Sequence, residues 1–242
     1  MDGILSKVIY NPWPIGKLSR EQSRPELDEV KSKGYNWNDP RDIINTFEKK
    51  IAEYTGAKYA VVVDCCSNGL FLCLKYLKAS GTIKIPKNTY VSVPQQIIHA
   101  GCKVEFTNEE WHGSYQLHPY NLFDSAVRWT EGMYQGNMCL EVISFQIKKR
   151  LPIGRGGVII TDDKVAADWL KLARYDGRNM SLPYTDPNHV MSIGYHMYMT
   201  PEDAARGILL MDLMESKENP DPGCWKNYPD LTKYKINWSS YG

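Results

Sequence analysis

Short β-branched runs alternate with segments of helical period through the middle of this 242-residue chain, and that alternation restricts the fold more than any other feature. The run KYAVVVD (58–64) is apolar at successive positions, the mark of a strand covered on both faces. Before it, DIINTFEKKIAEYT (42–55) carries Ile43, Ile44, Phe47, Ile51 and Tyr54 at helical spacing, with Gly56 as a stop. After it come a polar CCSNG turn and an apolar helix over 70–77, a strand over 82–86, a helix over 93–101 and a strand over 102–107. Further strands are expected over 120–124, 140–145 and 156–163, then helices over 164–177 and 200–216, the last with Thr200 as N-cap, Pro201 at its first position and Asp203 as capping partner. Strands alternating with helices predict an α/β fold of three layers, α/β/α, around a mainly parallel central sheet. From Lys217 onward, with Pro220, Pro222 and Pro229 and no clear period, the chain reads as mostly coil.

Charge excludes several partner classes. Lys and Arg number 29 against 28 Asp and Glu, so no nucleic acid or membrane partner is expected, and an anionic ligand must be held by local groups. The start MDGILSKVIYNPWPIGKLSRE lacks the apolar core of a signal peptide, and runs such as 60–63 are far too short to span a bilayer. Six cysteines stand without CxxC spacing, adjacent Cys65 and Cys66 cannot easily bridge each other, and the five histidines include no HExxH. The expectation is a reduced, cytoplasmic protein without a metal.

In open α/β sheets ligands sit beyond the carboxyl ends of the strands, which directs attention to 64–69, 87–90, 124–126 and 146–150. CCSNG puts Ser67 and Asn68 at a helix start, suited to an anion, although either could serve simply as an N-cap. Lys148, Lys149 and Arg150 follow an apolar strand, where charges often mark only a solvated end. Gly154, Gly156 and Gly157 precede a strand and not a helix, which disfavours an unrelated nucleotide-binding fold. Asp124 is either a turn former or a partly buried carboxylate, and Tyr90 either core or a plate for an aromatic ligand. Taken together, an anion cradle, an aromatic plate, an acid and a lysine in this order are what a pyridoxal phosphate site needs.

The segment VISFQIKKRLPIGRGGVIITDD (142–163) resembles the signature of the DegT/StrS-type sugar aminotransferases, in which a lysine four residues after a Ser-Phe pair forms the Schiff base. INTFEKKIAEYTGAKYAVVV, IPKNTYVSVPQQIIHAG, FDSA and GYHMYMTPEDAARGILLMDLM are similar to further segments of that family in the same order, so the likeness runs from about residue 10 to 216. The resemblance implies a fold type I large domain that binds pyridoxal 5'-phosphate. It implies Lys149, not Lys148, as the covalent anchor and acid–base group, Asp124 as partner of the pyridinium nitrogen, and Tyr90 as the stacking ring. Ser67, Asn68 and Ser144 are implied to hold the phosphate, with His196 reaching it from the second subunit of a homodimer.

Departures from the family pattern fall at Val127, Cys66, Gln146, His196 and Tyr198. Family members are also longer, and the part without a counterpart is most of a small C-terminal domain. The expected organisation is an N-terminal arm (1–41), the cofactor-binding large domain (42–216) and a short tail (217–242). The implied reaction moves an amino group from an amino acid, glutamate by resemblance, to a nucleotide-linked keto sugar. The alternative is a non-catalytic module that binds the cofactor or only dimerises.

Overall fold

The computed structural model describes residues 25–35, 41–214 and 223–238. Helices α1 (Pro25–Ser32) and α2 (Asp42–Thr55) lead into β1 (Tyr59–Val63), followed by α3 (Cys66–Tyr76), β2 (Thr82–Pro86), α4 (Ser92–His99) and β3 (Lys103–Thr107). Then come β4 (Tyr115–Gln116), β5 (Leu122–Asp124), β6 (Leu140–Ser144), β7 (Gly157–Thr161), α5 (Lys164–Ala173) and α6 (Pro201–Asp212).

The main sheet has the order β1-β7-β6-β5-β4, and β2 and β3 form a parallel pair of their own. Two hydrogen bonds between Lys84 and His118, just past β4, join the pair to the sheet. Strands β5 and β6 are parallel, while β7 runs against both β1 and β6, and β4 runs against β5. The three-layer reading holds, and the sheet is mixed: β1, β2, β3, β5 and β6 share one direction, with β4 and β7 reversed. No periodicity in the sequence reports strand direction, because an apolar strand covered on both faces looks the same either way.

Alternation along each strand divides the core. Val61 and Val63 of β1, Val142 of β6 and Ile159 of β7 pack with α3, α4 and α5. Ala60 and Val62, Ile143, Val158 and Ile160 face the other way, against α1, α2 and α6. Successive side chains of a strand point to opposite faces, so continuous apolar runs here serve two cores at once.

Strand β1 lies at the sheet edge, where unpaired backbone groups invite pairing with another chain. Buried side chains cover it. Glu48 of α2 accepts the Val62 N–H at 3.0 Å, and Arg174, just after α5, donates to both the Val62 carbonyl and Glu48, with Lys171 Nζ 3.3 Å from the same carboxylate. Glu48 and Arg174 are 3% and 4% exposed, so neither can fall back on water. Replacing Glu48 by Ala leaves Arg174 buried without its counter-charge and is expected to cost about 3–5 kcal/mol, read as a lower denaturant midpoint. A change within about 0.5 kcal/mol would contradict that account.

Several boundaries differ from expectation. Helix α3 starts at Cys66, four residues before the expected start, and its N-cap is Cys65, whose Sγ accepts the Asn68 N–H; neither Ser67 nor Asn68 is the cap. Helix α5 ends at Ala173. Helix α6 keeps its expected cap, with the Asp203 N–H donating to Thr200 Oγ1 at 3.2 Å, but ends at Asp212 with Leu213 as its C-cap, short of the expected 216; residues 215 and 216 lie outside the described residues. Much of the expected N-terminal arm, 1–24 and 36–40, also lies outside them, but α1 packs on α6 with Leu27 and Val30 buried.

Candidate active site

All four post-strand segments meet in one cavity of about 690 Å³. Cys65, Cys66 and Ser67 come from the end of β1, Thr89 and Tyr90 from beyond β2, Asp124 and Ala126 from β5, and Ser144, Gln146, Lys148 and Lys149 from β6. The reversed strands add their opposite ends: Tyr115 opens β4, and Gly154, Arg155 and Gly156 lead into β7. The volume suits a small organic ligand.

Asp124 is the buried acid of this cavity, 5% exposed. Its Oδ2 accepts the Tyr115 hydroxyl at 2.6 Å and its Oδ1 the Ala126 N–H at 3.0 Å. Burial raises its pKa above the ordinary carboxylate value; the Tyr115 and Ala126 hydrogen bonds and the positive charge of Lys149 pull the other way. A carboxylate has about four acceptor positions, so two remain for a ligand. Burial together with the Asp124 charge pushes the Cys66 thiol well up, so it stays protonated and is a poor nucleophile. Lys149 is held on the β6–β7 turn, where its N–H donates to the Gln146 carbonyl at 2.7 Å and the Gln146 side chain accepts the Lys148 N–H at 2.8 Å.

The wall at the start of α3 is suited to an anion, since a helix N-terminus is positive and presents N–H groups. Ser67 Oγ lies 2.6 Å from Ser92 Oγ. Arg155 donates to the carbonyl and carboxylate of Asp64, whose two carboxylate oxygens also accept from Asn68 Nδ2. Gly157 is required by this wall: a Cβ there would stand 2.6 Å from the Cys66 nitrogen and 2.8 Å from the Ile143 carbonyl. The glycine cluster therefore serves close backbone approach of β7 to the helix start.

The tail is not free coil. Residues 223–238 form a strap with two short 3₁₀ turns, Trp225–Asn227 and Leu231–Lys233. The Gly113 N–H donates to the Gly223 carbonyl, the Trp225 N–H to that of Trp111, Asn88 Nδ2 to that of Tyr228 and the Leu231 N–H to that of Lys87. Lys87 also pairs with Asp230 at 3.3 Å, and Trp238 packs edge-on against Phe106. Asn227, Tyr228 and Pro229 thereby become cavity wall, and Tyr228, pushed up to about 12 by burial and then by the Asp124 charge, presents a neutral phenol. Val127 packs closely against Gly223. Leu231 is fully buried; Leu231→Ala is expected to weaken the strap by about 2–5 kcal/mol. Faster proteolytic cleavage within 223–238 would report it, and an unchanged rate would count against a docked strap.

The sequence model of the DegT/DnrJ/EryC1/StrS aminotransferase family matches residues 19–120 and 129–220, most of the chain. The chain belongs to that family. SpsC of Bacillus subtilis (strain 168), a spore coat polysaccharide biosynthesis protein, is 24% identical over 249 residues that cover 82% of this chain and 63% of SpsC. The sugar aminotransferase CalS13 from Micromonospora echinospora shares the fold with a TM-score of 0.62 at 15% identity, over 85% of this chain and 67% of CalS13. DesI, solved in the presence of its TDP-sugar product, gives a TM-score of 0.58 at 17% identity, over 78% of this chain and 57% of DesI. The chain thus spans less than two thirds of SpsC and DesI.

Of the family positions carried over from the motifs, Lys149, Asp124, Tyr90, Ser67 and Ser144 all line the cavity. Asn68 is turned to Asp64, and exposed His196 bonds Asp176 at 3.1 Å and packs on Tyr198; neither is part of the cavity wall. Sequence reasoning missed Tyr115, Thr89, Arg155 and the strap. Tyr115 sits on a two-residue strand with no periodicity to find, and the strap is revealed by contacts between distant residues, such as Asn88 with Tyr228, 140 positions apart.

Proposed function

We propose that this family member is a pyridoxal phosphate-dependent aminotransferase that moves an amino group from an amino acid to a nucleotide-linked keto sugar. The carrying observation is the convergence of Lys149, Asp124 and Tyr90 on one cavity beside the start of α3. The residues present fit the cofactor: a buried carboxylate with spare acceptor positions suits a protonated ring nitrogen, and a helix start flanked by Ser67, Ser144 and Arg155 suits a phosphate. When bound, pyridoxal phosphate withdraws electrons from the carbon that bears the substrate amine.

The chain's own groups have distinct tasks. Lys149 Nζ would supply the amine that anchors the group, and its free amine a base able to take and return a proton. Asp124 would accept the ring N–H and so favour a protonated ring nitrogen. Tyr90, 59% exposed at the cavity mouth, offers a ring face, and the strap with Tyr228 limits water. Glutamate is the donor implied by the family motifs, and the TDP-sugar product of DesI supports the acceptor class.

In this reading 42–216 is the cofactor-binding domain and the active form is a homodimer in which His196 serves the partner's site. The exposed side chains of Tyr184, Val190, Met191 and Ile193, on the segment that leads to His196, suit burial between subunits. A reducing cytoplasmic setting agrees with six free cysteines, and no described helix is long and apolar enough to cross a membrane.

Purified protein mixed with pyridoxal phosphate is expected to show a visible absorption band that changes on adding glutamate and returns on adding a nucleotide-linked keto sugar. A band that no amino donor alters would overturn the aminotransferase reading in favour of a binding module.

A further inference from the structure

Asp124 is held by more than the family motifs account for. An ionised carboxylate accepts and cannot donate, so the 2.6 Å contact fixes the Tyr115 hydroxyl as donor to Asp124 Oδ2. That hydroxyl has a single proton, so the close Thr89 hydroxyl on its other side must donate to it. The chain of donation therefore runs from Thr89 through Tyr115 to Asp124, all at most 5% exposed. Both donors to that carboxylate, the Tyr115 hydroxyl and the Ala126 N–H, favour the ionised form, because a neutral carboxyl group accepts hydrogen bonds less strongly than its anion.

We propose that Tyr115, oriented by Thr89, is the positioning residue that keeps Asp124 ionised and aimed into the cavity. This rests on the aminotransferase reading only for its purpose, which is to present an anion to the ring nitrogen. The groups facing Asp124 come from every side of the site. Tyr115 lies on β4, Thr89 beyond β2, the Ala126 N–H after β5, Cys66 on α3, Lys149 on the β6–β7 turn and Tyr228 on the strap. Burial holds the Tyr115, Cys66 and Tyr228 groups neutral, which leaves Lys149 as the facing cation. Tyr115 gives a hydrogen bond where Lys149 gives only field. Val127, two residues past Ser125 on the same loop, has no polar atom to offer in its side chain.

Tyr115→Phe removes the donor while keeping the ring that packs against Trp111 at 5.1 Å between centroids. Two readouts separate positioning from mere structure. The first needs no cofactor. Burial already raises the Asp124 pKa in the folded state, and loss of the hydroxyl raises it further. The cost is therefore absent where Asp124 is protonated in both folded and unfolded chains, and develops as pH rises through the folded-state value. Denaturation should find the folding equilibrium of Tyr115→Phe about tenfold or more below wild type at about pH 7.5, with the ratio shrinking toward about pH 4. A ratio independent of pH would mean a structural role only and would overturn the proposal.

The second readout is cofactor retention followed by absorbance, expected to fall about tenfold in Tyr115→Phe and less in Thr89→Val, which keeps the direct donor. Equal retention in Tyr115→Phe and wild type would also overturn it. Failure of the aminotransferase reading looks different: wild type itself would bind no pyridoxal phosphate while the pH-dependent stability gap persisted.

Discussion

Lys149→Ala is expected to eliminate the covalently held cofactor band and to lower amino transfer from glutamate by at least about 10²–10⁴-fold, the range lost with a general acid–base group. Lys148→Ala is the internal control. Both lysines border the cavity, one residue apart, but Lys148 is exposed and Lys149 is half-buried, with a charge that acts on Asp124 and Cys66. Single-turnover absorbance with each variant decides between them. If Lys148→Ala is the dead protein and Lys149→Ala keeps its band, the assignment of the anchor is wrong.

Asp124→Asn should be the second most damaging change. Loss of the buried anion that faces the ring nitrogen is expected to cost about 3–5 kcal/mol of transition-state stabilisation, the scale of breaking a buried charged pair, which corresponds to a fall of about 10²–10⁴-fold in amino transfer. Stability should move differently. The folded-state pKa of Asp124 is raised, chiefly by burial, so its contribution to stability is fullest below the ordinary carboxylate range and is lost as pH rises through the folded value. The asparagine variant has no such loss. Its stability relative to wild type should therefore improve between about pH 4 and pH 7.5 while its activity stays low. A parallel pair of pH–stability curves would show that Asp124 carries no buried-charge cost.

The site was legible in proportion to how local its signals are. Asp124 closes a short apolar strand, Lys149 follows another, and Ser67 lies in a polar turn between strand and helix, so linear spacing pointed to their segments, while the choice of Lys149 over Lys148 and the role of each residue came from the family resemblance. Tyr115 was not legible, because its importance is one hydrogen bond to a residue nine positions later across an antiparallel pair too short to show alternation. Nothing in the sequence singles out Glu48 within the helix over 42–55, yet it is buried against the edge of β1 with Arg174, 126 positions away.

The order of the longer strands and helices from α2 to α6, the two-faced burial of β1, and the residues that follow those strands were determined by the sequence alone, since they depend on side-chain period and on turn chemistry within a few residues. Tertiary structure decided the rest. The reversal of β4 and β7, the donor chain on Asp124 and the return of the strap to the cavity wall depend on which distant backbones hydrogen-bond to each other. Those pairings are settled by packing of the whole domain, and residue order along the chain carries no direct record of them.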